Sequence, residues 1–323
     1  MDRRQFLIAA GMGAASTCAR TAIAQDKYPT RNVRLVVPFT AGGPTDVIAR
    51  LLGEAMAAKW KVPVIVDNKP GAGTMIGTEA VAKAPPDGHT VGIVITAHVI
   101  NPAVREKMPF DTQRDLRGVT QLAEAHMVVV ANPSFPADDI PGLVRVASES
   151  KEPIAYASPG VGTATHMAAE LLQKYANIRM LHVPYNGSAN ALTDVLAERV
   201  PLMFDVWHSV QQLVQEKSLK VLGVTNATTI PNAPQYRRIA DTYPNYEANS
   251  MFGLVVPSGT PETIVQALAA DATAYVRSPE FATKAAVLGM QPVGSTPREF
   301  DAFISREISK WRDIATKSNI RLN

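Results

Sequence analysis

Short apolar runs alternate with glycine loops and amphipathic stretches along this chain. Val33-Arg34-Leu35-Val36-Val37-Pro38 is a compact apolar run closed by proline and predicts a buried strand. The loop Phe39-Thr40-Ala41-Gly42-Gly43 follows, and Pro44 suits the first position of a helix. In that helix Val47, Ile48, Leu51, Leu52, Ala55 and Met56 recur at helical spacing and predict one buried stripe. A strand over 62–66, a loop 67–73, a helix over about 74–83, a turn at 85–88 and a strand over 90–96 come next.

The same alternation resumes further on. Strands are predicted over 127–131 and 154–157, then the glycine loop Ser158-Pro159-Gly160-Val161-Gly162. A helix over 163–175 turns Met167, Ala168, Leu171 and Leu172 inward. A strand over 180–184, a helix over 189–197 and strands over 202–206, 219–225 and 252–256 follow. Thr296-Pro297-Arg298-Glu299 joins a capping box to a proline start, ahead of a stripe of Phe300, Phe303, Ile304, Ile308 and Trp311. Alternating strands and helices predict an α/β fold with mostly parallel sheets.

In three places a buried strand ends, a glycine-bearing loop follows and a helix begins: 38–46, 70–78 and 157–166. Ligands of open α/β sheets sit beyond the carboxyl ends of the strands. Helix N-termini there offer unpaired N–H groups and partial positive charge, which suit anions. Thr40, Thr45, Thr74, Ser158, Thr163 and Thr165 add hydroxyls. No arginine lies in these loops and only Lys69 borders one, so a small carboxylate is favoured over a phosphate-rich ligand. Each loop alone is equally an ordinary turn with a helix cap. Three together point to a site.

Enzyme motifs are absent or incomplete. Gly71-Ala72-Gly73-Thr74-Met75-Ile76-Gly77 lacks the dinucleotide-loop spacing, and no acid follows the next strand. Ser158 does not stand in a nucleophile elbow. A hydrolase using Ser158 with His166 is the rival reading. His166 and Glu170, four apart on one helix, have no evident third metal ligand, and His89, His98, His126, His182 and His208 form no ligand spacing. Neither a metal nor another cofactor is expected. Asp46, in the first turn of its helix, and Asp205, interrupting an apolar run, are each either caps or acids lining a cleft, where they orient water or an ammonium group.

Composition narrows the picture. Lys+Arg 32 against Asp+Glu 29 leaves +3, too little basic excess for a nucleic-acid binder. The single cysteine, Cys18, excludes an intramolecular disulfide framework. Residues 1–24 read as a signal peptide: Arg3-Arg4 opens it, an apolar run follows, and Ala22-Ile23-Ala24 matches a cleavage site. Arg-Arg-x-Phe-Leu resembles the twin-arginine signal. Cys18 sits in a poor lipobox, so lipid anchoring is not expected. The expected mature chain is periplasmic and starts near Gln25.

Ordered segments through nearly the whole mature chain resemble one family. They are 36–46 (VVPFTAGGPTD), 67–73 (DNKPGAG), 80–90 (AVAKAPPDGHT), Asn101-Pro102, 156–163 (YASPGVGT) with His166, 182–185 (HVPY) and Met203-Phe204-Asp205. The chain resembles the Bug/TctC periplasmic solute-binding proteins of tripartite tricarboxylate transporters. The resemblance implies a two-lobed, type II-like "Venus flytrap" with two crossovers, lobe one over 26–125 plus 251–323 and lobe two over 126–250. It implies a clamp of Phe39, Thr40, Ala41, Gly42, Thr45, Asp46, Gly73, Thr74, Met75, Ser158, Gly160, Gly162, Thr163 and His166, with Asp205 close by. The implied ligand is a small carboxylate: a mono- or dicarboxylate, or an amino acid. The implied partner is the transporter's membrane permease, or a sensor kinase if the chain serves signalling. A monomer is expected. Asn186 and Thr74 depart from the family pattern and bear on the ligand's distal end.

Overall fold

The computed structural model describes residues 28–185 and 187–321. The expected leader, Cys18 and Asn186 lie outside the described residues.

The apolar runs become two mixed sheets. The first has the order β11-β4-β10-β3-β1-β2, formed by Val33–Val37 (β1), Val64–Asn68 (β2), Thr90–Ile95 (β3), Leu116–Ala125 (β4), Ser250–Pro257 (β10) and Met290–Pro292 (β11). The second has the order β7-β6-β8-β5-β9, from Met127–Ala131 (β5), Ile154–Ser158 (β6), Met180–Pro184 (β7), Leu202–Val206 (β8) and Lys220–Val224 (β9). Each sheet, with its helices, makes one lobe of a two-lobed α/β fold.

The expectation of mostly parallel sheets needs correction. β1 pairs with β2 and β3 in parallel, as β6 does with β7 and β8. But β10 lies antiparallel between β3 and β4, and β5 antiparallel between β8 and β9. Both are the strands the chain forms on arriving from the other sheet. They therefore enter against the direction that local βα units impose.

The helices are Pro44–Trp60 (α1), Met75–Ala82 (α2), Ala97–Val104 (α3), Ile140–Glu149 (α4), Ala164–Ala176 (α5), Ser188–Leu196 (α6), Trp207–Gln215 (α7), Glu262–Val276 (α8), Pro279–Val287 (α9) and Pro297–Lys317 (α10). In α1 the buried side is Ile48, Ala49, Leu52 and Met56, while Val47, Leu51 and Ala55 are half-buried. The expected capping box of α10 forms: Glu299 N donates to Thr296 Oγ1, and Thr296 N donates to Glu299 Oε2. Phe300, Ile304, Ile308 and Trp311 are buried in an apolar cluster that also holds Val36 and Val94 of the first sheet and Met127, Val129 and Tyr156 of the second. The core is thus continuous across the lobes through α10.

The chain passes between the sheets twice, and the passages are bonded together. Only His126 separates β4 from β5. Asn226, just past β9, accepts from Met127 N (2.9 Å) and donates to Ala125 O (3.3 Å). Thr225 Oγ1 donates to Ala248 O (2.7 Å), ahead of β10.

Candidate functional site: a cavity between the lobes

A cavity of about 500 Å³ opens where the ends of both sheets face each other. Five helices reach its wall with their first residues. They are α1 with Pro44 and Thr45, α3 with Ala97, α5 with Ala164 and Thr165, α6 with Ser188, and α7 with His208 and Ser209. The first N–H groups of a helix have no partner within it, and the helix dipole makes that end positive. Such a convergence attracts an anion without needing a bound cation. The rest of the wall is mainly apolar, with Phe39, Ile95, Phe252, Leu288 and Met290.

The first loop is ordered by Asp46. Its carboxylate accepts from Gly42 N (2.9 Å), Arg50 Nε (2.9 Å) and Asn68 Nδ2 (2.9 Å). Asn68 Nδ2 also donates to Phe39 O (2.9 Å). The hydrogen bond from Arg50 is the largest effect holding the Asp46 carboxyl down at about 2. Phe39, Thr40 and Thr45 line the cavity; Ala41, Gly42 and Asp46 do not.

The second loop bends through Gly73 at φ 63°, a left-handed conformation that favours glycine. Asn101 Nδ2 donates to Gly73 O (2.9 Å) and holds the loop against α3. Gly73 and Thr74 line the cavity, whereas Met75 packs against the core.

The third loop is held from behind. Ser158 Oγ lies 2.7 Å from His182 Nε2 and is fully buried. Gly160 N donates to Ser158 Oγ (3.2 Å), Thr163 Oγ1 donates to Gly160 O (2.8 Å), and Gly162 N donates to His166 Nδ1 (3.1 Å). His166 stacks on His182 at 4.0 Å, and His182 on Tyr156 at 4.9 Å. Burial pushes both histidines down to about 4, so they are neutral at pH 7. Gly162 and Thr163 face the cavity; Ser158, Gly160 and His166 are the scaffold behind it.

Asp205 does line the cavity, and it is 1% exposed. Its Oδ1 accepts from Ser188 Oγ (3.0 Å) and Val206 N (2.8 Å). Its Oδ2 is buried with no hydrogen-bond partner among the described residues. Burial pushes the carboxyl up to about 6.

Sequence reasoning missed Arg105, which lines the cavity from the end of α3 and corrects the expectation of a clamp without arginine. Its Nε donates to Asn101 Oδ1 (3.2 Å), four residues earlier on the same helix face. That spacing from Asn101 was the available signal. The N-termini of α3 and α7 were missed as well, because no glycine loop precedes either to mark it; the helix of α6 was expected, but its start was not placed at the site.

The family model described as "Tripartite tricarboxylate transporter family receptor" matches residues 48–320. The chain belongs to the TctC receptor family. Members are solute-binding receptors and not enzymes, which overturns the hydrolase alternative; Ser158 also pairs with His182 and not with His166. This TctC receptor is 33% identical to the UPF0065 protein in the tcbD-tcbE intergenic region of a Pseudomonas species, over 100% of this chain and 96% of that one. A solved R. palustris protein with adipate is 30% identical, with a TM-score of 0.78 over 91% of this chain and 99% of its own. MatC from Rhodopseudomonas palustris with bound malate is 28% identical, with a TM-score of 0.73 over 89% of this chain and 99% of its own.

Proposed function

We propose that this receptor captures a small carboxylate in the interlobe cavity and hands it to the membrane permease of a tripartite tricarboxylate transporter. The observation behind this reading is the convergence of five helix N-termini, with threonine and serine hydroxyls among them, on one largely apolar cavity. Adipate and malate in two similar structures support the ligand class.

The clamp in this reading is Phe39, Thr40, Thr45, Gly73 and Thr74 from the first lobe, with Gly162, Thr163 and Asp205 from the second. Ala41, Gly42, Asp46, Met75, Ser158, Gly160 and His166 set the shape of the loops. We place the lobe boundaries at 125–126 and 250–251, where the chain passes between sheets, and take these passages as the hinge. The twin-arginine-like leader supports export to the periplasm. Among the described residues no helix is long and apolar enough to cross a membrane.

Thermal-shift screening tests the ligand class, since a ligand that binds only the folded state raises Tm. Carboxylates are expected to raise it, and sugars, nucleotides and simple cations to leave it in place. Stabilisation by one of those classes with every carboxylate silent overturns the proposal.

A further inference from the structure

A second cavity, of about 340 Å³, lies in the first lobe between α3, the start of β4 and α10, and shares no lining residue with the interlobe cavity. Leu116 and Ile304 give it apolar walls. On its exposed side Gln113 Nε2 donates to Ser305 Oγ (2.8 Å), tying the loop ahead of β4 to α10. His98 and Thr112 also line it, and they are only 4% and 5% exposed. His98 Nδ1, His98 Nε2 and Thr112 Oγ1 are buried and have no hydrogen-bond partner among the described residues. Buried polar groups are nearly always paired, and an unpaired one carries the full cost of its desolvation. Unpaired groups from two segments lining one cavity call for a partner that occupies it.

The charges on the wall decide what kind of partner. Asp301 Oδ1 accepts from Gly118 N (2.6 Å), and its Oδ2 has no partner among the described residues. Arg117, the one arginine or lysine among the described lining residues, donates to Glu262 Oε2 (2.6 Å), and the two charges cancel. Burial pushes His98 down to about 4, so it is neutral at pH 7 and one of its ring nitrogens is an acceptor. Asp301 is left as the uncompensated charge, which disfavours an anion. A transition-metal site ordinarily takes three or four protein ligands, and this wall offers one imidazole and one carboxylate. What it does offer is a set of acceptors from α3, the loop ahead of β4 and α10: an imidazole nitrogen, a hydroxyl and a carboxylate oxygen. A primary ammonium group brings three N–H donors and the opposite charge.

We propose that this cavity is a second ligand site, built for the primary ammonium group of a short aliphatic amine. The ammonium donates to a His98 ring nitrogen, to Thr112 Oγ1 and to Asp301 Oδ2, and the carbon chain lies along Leu116 and Ile304. The volume stands at the low end of the roughly 300–1,000 Å³ of small-molecule sites, which suits a short chain. With no wall in common, this site is independent of what the interlobe cavity binds.

NMR titration of the mature chain, labelled with nitrogen-15 in its histidine rings, tests this. Butylammonium is the probe, tetramethylammonium a cation without N–H groups, and 1-butanol a neutral chain of the same length. Butylammonium is expected to shift the His98 ring signals saturably and to leave in place those of His208, on the wall of the interlobe cavity. The two controls are expected to bind about ten-fold or more weakly, the scale of one charge-assisted hydrogen bond. Asp301→Asn keeps an oxygen for Gly118 N and loses the charge, and is expected to weaken butylammonium about ten-fold. His98→Gln identifies the His98 signals and is expected to weaken binding likewise. Circular dichroism melting checks that both variants fold; Asp301→Asn carries the test if His98→Gln does not. His98 signals that no probe moves mean that the cavity holds water alone, and they overturn the inference. So do equal binding of butanol and butylammonium, an undiminished affinity in Asp301→Asn, or a shift at His208 in place of His98.

Discussion

Ser158 Oγ and His182 Nε2 stand 2.7 Å apart behind the third glycine loop, with the His182 ring stacked between those of Tyr156 and His166. The distance is that of a nucleophile and its base, but the serine is sealed from solvent and from the cavity. The pair orders the loop. Ser158→Ala is expected to lower unfolding free energy by about 1–3 kcal/mol, since it strips a partner from His182 and from Gly160 N. Urea unfolding measures this. On a panel of nitrophenyl esters both proteins are expected to show background rates; turnover by the wild type that Ser158→Ala abolishes would contradict a scaffold role.

Asp46 does not line the cavity; its carboxylate orders the loop beside it. Its carboxyl is held at about 2, below its ordinary value, so the stabilisation it gives is complete above about pH 4 and is lost as pH falls through 2. Asp46→Asn is expected to cost about 1–2 kcal/mol at pH 7, a figure that allows for solvent screening around the half-exposed Arg50. The cost is expected to vanish near pH 2. Melting curves of the two proteins from pH 7 down to pH 2 check both parts.

Asp205 has the opposite sign. Burial raises its carboxyl to about 6, so its ionised form opposes folding, and the penalty grows as pH rises from about 4 through 6. Asp205→Asn is expected to stabilise the ligand-free protein at pH 8, by up to about 2–3 kcal/mol, and to do little at pH 4. The same variant is expected to bind its carboxylate at least about ten-fold more weakly, because a buried acceptor that orients a water donating to the ligand is lost. Tm and calorimetry on one preparation test the pair of effects. A stabilised variant with undiminished affinity would remove Asp205 from the clamp.

Asn226 spans the two passages between the lobes, bonding Met127 N and Ala125 O. If these passages are the hinge, ligand at saturation reduces the radius of gyration in small-angle scattering. Asn226→Ala is expected to destabilise by about 1–3 kcal/mol, because Met127 N is left buried and unpaired. An unchanged radius at saturation argues against closure.

The parts of the site that sequence conveys are those marked by backbone chemistry. Glycine, proline at helix starts and cap threonines identify the loops around Thr40, Gly73 and Thr163, because few other residues serve there. Side-chain direction is not encoded in that way. Asp46 and Asp205 look alike as acids near helix starts, yet one turns into its loop and the other into the cavity. β4 escapes notice because the polar Thr120 and Gln121 are buried in it, Thr120 Oγ1 donating to Ser295 O and the Gln121 backbone N to Ser295 Oγ, a partner 175 and 174 residues away. α3 carries an internal proline, Pro102, and so reads as loop. With α3 unseen, Arg105 had no place on the wall. The antiparallel entries of β5 and β10 depend on which sheet each strand joins, a long-range choice that local periodicity does not report.

One helix has a bearing on how the chain comes to exist. Phe300, Ile304, Ile308 and Trp311 of α10 complete an apolar cluster shared by both sheets, and each large side chain fully buried there contributes about 1.5–3 kcal/mol. Both lobes therefore wait for the same late segment during synthesis. Through most of translation the nascent polypeptide holds two unfinished half-structures with sticky faces, and a chaperone or export factor has that whole interval in which to engage it.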